Sequence, residues 1–523
     1  MKRIIVAISA ILGCTAGFSQ TMFDALKISD NDIIGTARYS SMAGAFGALG
    51  GDASAIKDNP AGLGIYRKSD ISITGDALLQ NTSGTWNGIN TNDSKYKTGL
   101  DNLSLVLAFP TWRSESGYTG LLSSNFSFSY NKLKDFNRYI YAKAGAMAAS
   151  ITDYYSYFSE DLTSTDLTYV AGSYEPFNED YVPWMSILSY EGYLINETAA
   201  NSGKWNSLLN TGETVSPSYL LTETGGINQY SLSWAGNFSN SFYFGVSLNF
   251  QYIDYKAVST YSEAFGAGGS MSIENTVTTK GSGVNFDLGA IYAPVDFMRF
   301  GASIHSPTFY AVTTENYSTL SSVNLNNRSS NMDYLNKYTI STPTGYVDYQ
   351  VQTPLRLNLS AAFIIQDKGL ISAEYVYNNY KGTKLMDKYG NQQDYTYDNQ
   401  DIQDMTNNSR TIKIGGEYKV NDNVSLRAGY ANVSAITKSS AVKYMIPSTV
   451  RTDPEYFLHN KTNYLTTGFG YRESSWYIDF AYMHKILDED YYTFNDSDLQ
   501  SGLKPANIIT TNNNIVATFG LRF

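Results

Sequence analysis

The residues with the clearest chemical potential are charges placed at every second position of segments that are otherwise apolar: Arg299, Arg356, Lys413, Arg427 and Arg522, with Asp287, Glu374, Glu417 and Asp479. In an extended chain successive side chains point to opposite faces, so these charges share a polar face turned away from an apolar one. Arg356 and Lys413 open their segments, where the carboxylate head of an incoming molecule would meet them first, which makes them the candidate substrate contacts. The competing reading pairs the charges with one another or with Asp52 and Asp58. Catalytic chemistry has little to stand on. His305, His459 and His484 lie in separate segments, none beside a ligand at metal-binding spacing. His484 reads as a rim residue, since a Ser–His hydrolase would need a nucleophilic serine beside it. Asp30-Asn31-Asp32 and Asp488-Glu489-Asp490 offer oxygen ligands of the calcium type but read better as solvated loop charges. The expectation is a protein that is not an enzyme, with no catalytic residue, metal site or cofactor.

The segments that must carry these charges are strands. From Phe242 to Tyr252, Phe242, Phe244, Val246, Leu248, Phe250 and Tyr252 share one face, while Tyr243, Gly245, Ser247, Asn249 and Gln251 share the other. Leu355, Leu357, Leu359 and Ala361 alternate with Arg356, Asn358 and Ser360; Val424, Leu426, Ala428 and Tyr430 alternate with Ser425, Arg427 and Gly429. Such a face packs on a second sheet in a sandwich or on lipid in a membrane barrel.

Compartment comes from the first residues. Lys2 and Arg3 precede an apolar run from Ile4 to Leu12 and then small residues up to Ser19. This is the pattern of a signal peptide, cut between Ser19 and Gln20, and it is too short to span a bilayer as a helix. The single cysteine, Cys14, lies inside it. Its place after Leu12-Gly13 loosely resembles a lipoprotein cleavage site, but the small residues that follow offer an ordinary one. Without this segment the chain carries 35 basic and 48 acidic residues, a net charge of −13, and no basic stripe stands out, which disfavours nucleic acid as a partner. The chain holds 44 tyrosines and is 42% hydrophobic, yet its mean hydropathy is −0.27. That balance suits a barrel with lipid outside and water inside.

Strand-like segments fall near 68–79, 100–110, 119–131, 226–238, 241–255, 280–293, 297–306, 354–366, 368–379, 410–420, 422–434, 462–471, 474–484 and 513–523, about fourteen in all. Short links, such as Ser239-Asn240, Asn421 and Arg472-Glu473, alternate with long ones near 80–99, 132–225, 256–279, 307–353, 380–409, 435–461 and 485–512. Short periplasmic turns alternating with long extracellular loops is the pattern of an outer-membrane barrel of a Gram-negative bacterium, with both chain ends in the periplasm. The fold class expected is therefore all-β, a transmembrane antiparallel barrel over 67–523. The loop 132–225 reads as a folded extracellular cap, because Trp184, Trp205 and many tyrosines would otherwise be exposed. The last strand alternates through Ile515, Ala517, Phe519 and Leu521 and ends on Phe523, an ending that resembles the signal read by the barrel-assembly machinery.

Residues 20–66 are not strand-like and hold a dense run of small residues from Ser41 to Gly64. Small residues allow tight packing in a confined lumen, and Asn59-Pro60 sets a turn; a flexible linker is the bland alternative. Within this run, Asp52-Ala53-Ser54 and Asn59-Pro60-Ala61-Gly62-Leu63 resemble the amino-terminal plug of the FadL-like outer-membrane transporters of long-chain fatty acids and aromatic hydrocarbons. His305-Ser306-Pro307-Thr308, after Gly301-Ala302-Ser303, also resembles a strand end of that family.

The resemblance implies a fourteen-stranded barrel with a plug over 20–66 and passive uptake of a hydrophobic molecule. Gly50, Gly51, Asp52, Asn59, Pro60, Ala61 and Gly62 would form the gate. The molecule would leave sideways into outer-membrane lipid through a break in an early strand, for which Ser123, Ser124 and Asn125 are the candidates. The rival reading is a protein-interaction scaffold, since the fold also resembles shuttle components of the type IX secretion system, whose partners are secreted proteins or lipoproteins. A general porin is disfavoured by the plug, and an energised receptor by the shortness of the segment before the first strand.

Overall fold

The computed structural model describes residues 20–111, 119–325, 337–365, 368–446 and 449–523. The expected signal peptide and Cys14 lie outside them. Alternating segments close into one antiparallel ring of fourteen strands. In chain order they are β1 (Asp70–Trp86), β2 (Ile89–Pro110), β3 (Leu121–Asp135, resumed as Arg138–Lys143), β4 (Val215–Phe238), β5 (Phe242–Phe265), β6 (Ser270–Val295) and β7 (Met298–His305, resumed as Phe309–Val323). Then come β8 (Gly345–Gln352, resumed as Arg356–Ile365), β9 (Gly369–Asn378, resumed as Lys384–Asp387), β10 (Ser409–Lys419), β11 (Val424–Ser434), β12 (Tyr456–Arg472), β13 (Trp476–Tyr492) and β14 (Ala506–Arg522). The ring closes where Asp70 of β1 faces Arg522 of β14, and Ser69 and Phe523 exchange backbone hydrogen bonds below that pair. A sheet closed on itself leaves no unpaired edge for lipid to meet.

Alternation decides what each face sees. Phe242, Leu248, Phe250, Leu359, Phe363, Leu426, Phe519 and Leu521 are exposed on the outer wall, whereas Ser247, Asn249, Asn358 and Arg427 are buried inside it. An outer apolar belt around a polar interior is that of a transmembrane barrel of the outer membrane. Among the described residues no helix is long and apolar enough to cross a membrane.

Several segments read as long loops are strands. Residues 80–99 form the upper β1–β2 hairpin, turned by Asn87 and Gly88 at φ of 41° and 85°. The positive φ at both positions is what a tight two-residue hairpin demands. Residues 256–279 likewise continue β5 and β6 to a turn at Gly268 and Gly269. These strands have 24 and 26 residues, against the roughly 9–11 that cross a bilayer, so their upper halves stand above the membrane. Between Lys143 and Val215 the chain folds into a cap containing α3 (Ile151–Phe158), α4 (Ser164–Leu167) and α5 (Trp184–Glu191). Trp184 and Trp205 are buried in it, their indole N–H groups donating to the carbonyls of Phe177 and Leu162.

Residues 20–66 run through the ring as α1 (Met22–Ser29), α2 (Ala37–Ser41) and short 3-10 turns at Ser54–Lys57 and Pro60–Ile65. The first described residue corrects one expectation. The barrel proper begins and ends at the periplasmic rim, but Gln20 lies beside the extracellular loops, its side chain accepting from Tyr395.

Candidate functional site: a charged lumen around residues 20–66

The segment 20–66 is held by backbone contact where the wall lacks side chains. Gly245 and Gly289 face each other on β5 and β6. A Cβ on Gly289 would lie 2.0 Å from Asn59 Oδ1, and one on Gly245 would lie 2.4 Å from the Pro60 backbone. A second glycine pair, Gly415 on β10 and Gly429 on β11, takes Met42 in the same way. Asn59 donates to the carbonyls of Gly47 (2.7 Å) and Ala290 (3.2 Å), while its Oδ1 accepts from Ala61 N–H. Gly50 and Gly51 have φ near 60°, and Gly51 N–H donates to Gly62 across the fold. Asp52 accepts from Thr36 and from the Ser54 backbone. Gly50, Gly51, Asp52, Asn59, Pro60, Ala61 and Gly62 thus come together in one knot inside the ring.

The inward charges converge on this knot. Asp58 takes Lys413 Nζ and Arg356 Nη2, each at 3.3 Å, and the Tyr39 hydroxyl at 2.6 Å. Burial alone would raise the Asp58 carboxyl, but the cations Lys413, Arg356 and Lys57 outweigh it and hold the group well below its ordinary range. Lys413 also pairs with Glu374 at 2.9 Å, and Glu374 accepts the Gly47 N–H at 2.8 Å. A second group joins Arg38, Glu417, Arg427 and Asp479. Arg356 and Lys413 therefore both engage the amino-terminal segment. Arg356 keeps one group free: its Nε is buried without a hydrogen-bond partner. Arg299 donates to the Leu49 carbonyl and Arg522 pairs with Asp70.

Sequence spacing missed His305. Its Nδ1 lies 2.9 Å from Asp287 on β6, eighteen positions away in sequence but opposite in register. His484 meets Asn513 on the neighbouring strand, and His459 meets Thr462. The acidic triplets are engaged with protein groups: Asp32 with Lys134 and Lys485, Glu489 with Arg138, and Asp488 and Asp490 with Asn507. Among the described residues no cluster of His, Cys, Asp or Glu could hold a metal ion.

Ser123, Ser124 and Asn125 are paired on both sides, to Pro110, Phe109 and Ala108 of β2 and to Asn237, Gly236 and Ala235 of β4. A register shift lies just below them, between Leu121 and Ser123. Asn125 points inward and donates to the carbonyls of Leu63 and Tyr66, tethering the end of the 20–66 segment.

Two contiguous cavities lie inside the ring among the described residues. The upper one, about 260 Å3, lies around α1 and carries Phe23, Leu26, Phe136, Tyr219, Leu221, Tyr255, Tyr456 and Phe457 beside charged side chains. Those charges are largely compensated, as in Lys27–Glu223–Arg138 and Lys443–Asp453–Arg451. The lower one, about 120 Å3, has a polar wall of Gln229, Gln251, Asn285 and Asp287 and a floor of Lys57, Asp58, Arg356 and Lys413. Asp30, Asn31, Asp32, Val433 and Tyr464 border both.

A solved structure of the TodX monoaromatic hydrocarbon channel, a deltaS2 mutant, aligns with a TM-score of 0.50 at 13% identity, over 94% of this chain and 99% of that one. The two chains share a fold. At such identity the likeness is one of fold. The Pseudomonas putida toluene transporter TodX and a Pseudomonas aeruginosa FadL homologue align over the same shares at 13% identity, with TM-scores of 0.49 and 0.47. A family model described as BamG matches residues 201–432, from the end of the cap to β11 of the barrel. No curated protein matches the sequence.

Proposed function

We propose that this chain is a plugged outer-membrane barrel that passes hydrophobic or amphipathic small molecules, of fatty-acid or hydrocarbon size, inward and releases them sideways into the membrane. Residues 20–66 are the plug, and the cap and upper hairpins gather the ligand. The observation that carries this reading is the stacking of the two cavities. An aromatic-lined chamber beneath the cap leads to a charged floor on the plug, where Arg356 Nε is unpartnered. Aromatic and aliphatic walls favour an apolar tail by about 0.8 kcal/mol per buried methylene. Arg356, with Lys413 beside it, offers a donor to an anionic head. The solved channels of this fold named for toluene and monoaromatic hydrocarbons accord with the apolar half.

Native mass spectrometry of protein extracted from its own membrane in mild detergent tests the reading, alongside uptake of radiolabelled palmitate into proteoliposomes. A bound molecule of fatty-acid or aromatic size, weakened by Arg356→Gln, is expected. Asn59→Ala with Pro60→Ala should lower uptake while leaving the barrel folded. An empty barrel together with no protein-dependent uptake would overturn it.

A second reading, an interaction scaffold for a secreted protein or lipoprotein, is favoured by the BamG match, whose name points toward barrel assembly. It expects a co-purifying protein and empty cavities. Phe523, exposed at the periplasmic rim, is the contact proposed for the assembly machinery during insertion of this chain itself.

A further inference from the structure

The wall is continuous at Ser123–Asn125 but interrupted elsewhere. β7 breaks at Ser306-Pro307-Thr308, β8 at Thr353-Pro354-Leu355 and β9 at residues 379–383, and register places the three breaks side by side. His305 faces Arg356 below the gap and Phe309 faces Gln352 above it. Between β8 and β9 the count is unequal, three residues against five, and the surplus turns inward as Tyr380-Lys381-Gly382 with Tyr380 buried in the lumen.

Prolines occupy two of the three breaks, Pro307 and Pro354, and a proline has no N–H to give a ladder. Among the described residues one backbone hydrogen bond crosses the β7–β8 gap, from Thr353 N–H to the Thr308 carbonyl. Asn379 N–H donates to the Leu355 carbonyl across the β8–β9 break, Ser306 N–H donates to the Phe286 carbonyl on the β6 side of β7, and hydroxyls supplement both sides of β7. Thr353 Oγ1 accepts Thr308 N–H at 2.8 Å, and Ser306 Oγ accepts Phe286 N–H at 3.0 Å. Backbone left open to lipid is intolerable unless it is satisfied locally or lines a cavity, and this stretch does both. Ser306, Thr308, Thr353, Pro354 and Tyr380 form the side of the lower cavity. Outside, Ile304, Phe309 and Leu357 are exposed and apolar.

The height also fits. The strands below the gap, Arg356–Ile365 and Gly369–Asn378, are ten residues each. At about 3.3 Å per residue and a tilt near 40°, they rise roughly 25 Å, the height of an outer-membrane apolar band. A molecule descending from the aromatic chamber meets the charged floor of Asp58, Lys413 and Arg356 at this level. An apolar tail cannot displace those ion pairs without leaving charges unpaired, so the lower-energy way out is sideways.

We propose that the lateral exit lies here, between β7, β8 and β9, and opens by loss of the Thr308–Thr353 and Asn379–Leu355 hydrogen bonds with an outward swing of Tyr380. The proposal rests on the transport reading above and names its exit. Cysteines at Thr308 and Thr353, bridged reversibly by a short bis-methanethiosulfonate, would lock the gap. A matched pair at Ser127 and Ser233, which face each other on β3 and β4, would lock the continuous wall. Palmitate uptake into proteoliposomes is expected to fall to the level of empty vesicles with the first bridge, to recover on reduction, and to be unchanged by the second. Unbridged variants report on folding. Loss of uptake with the β3–β4 bridge but not the β7–β8 bridge overturns the exit while leaving transport intact. Unchanged uptake with both bridges overturns it as well, and no uptake by the unmodified protein sinks the transport reading first.

Discussion

Two stretches of the same wall differ in how they meet the plug. Across β4, β5 and β6 the ladder is unbroken for more than twenty residues, and the inner surface is cut back to glycine where Asn59 and Pro60 press against it. Across β7, β8 and β9 the ladder stops at one height, and the close approach of Gly301 to Gly47 is joined by polar and charged side chains, Ser303, Asn358, Arg356, Glu374 and, from β10, Lys413. The first stretch holds by shape, which needs a rigid backbone. The second adds long polar and charged side chains, which tolerate a backbone that can part. On the proposed reading, keeping a plug and releasing a molecule sideways are divided between two arcs of one sheet.

Breaking the charged arc should give the largest effect. Glu374→Ala leaves the Gly47 N–H unmet and Lys413 with Asp58 as its one carboxylate. Removing one partner of a buried pair destabilises by about 3–5 kcal/mol. The expected result, read by limited proteolysis in detergent, is early cleavage of residues 20–66 with the barrel intact. Gly289→Ala attacks the shaped arc. The added methyl collides with Asn59, and overpacking of this kind costs about 1–3 kcal/mol. The same proteolysis should show a smaller loss, together with increased leak of a small hydrophilic solute from liposomes. Thr353→Val sharpens the contrast. It keeps volume but strands the Thr308 N–H, at a penalty of about 1–3 kcal/mol for an unmet buried donor, and should speed lateral release without loosening the plug, so palmitate efflux rises while proteolysis is unchanged.

The smallest effect is expected from pH. The Asp58 carboxyl lies well below its ordinary value of 3.8, because Lys413, Arg356 and Lys57 overcome the opposing effect of burial. A depressed acid contributes stability that is complete above its unfolded value and is lost as pH falls toward the folded one. Protection of the plug should therefore be flat from pH 8 to about 5 and decline only below about 4. Lys57 runs the other way. Burial, with Lys413 and Arg356 adding to it, pushes its ammonium down to about 8 against the pull of Asp58, so its contribution grows as pH rises from about 8 toward 10.5. A protection profile that instead falls on going from pH 8 to 6 would show that other groups hold the plug.

Much of this was legible in the residues. Alternation from Phe242 to Tyr252 separates lipid from lumen correctly because a strand has a period of two whatever it packs against. The fourteen strands follow from the same rule. Strand ends were harder to read. In the upper halves of β5 and β6 the apolar face turns inward, as Ala257, Tyr261, Phe265, Met271, Ile273 and Val277, while Lys256 and Glu274 stand on the outer face, since above the membrane that face meets water. The Asn87-Gly88 pair was a local signal for a tight hairpin that a search for long loops passes over. His305 and Asp287 could be joined only through register.

By itself the sequence determined the strand period, the outward and inward faces, the small-residue segment ahead of the barrel and the candidate charges, all of which depend on neighbours a few positions apart. Tertiary structure alone decided which charges meet, where Gln20 lies and that Pro307, Pro354 and the turn at residues 379–383 stand at one height. These depend on register around a closed ring, where a shift of one residue in a single strand would move a proline away from its counterpart and leave the wall whole.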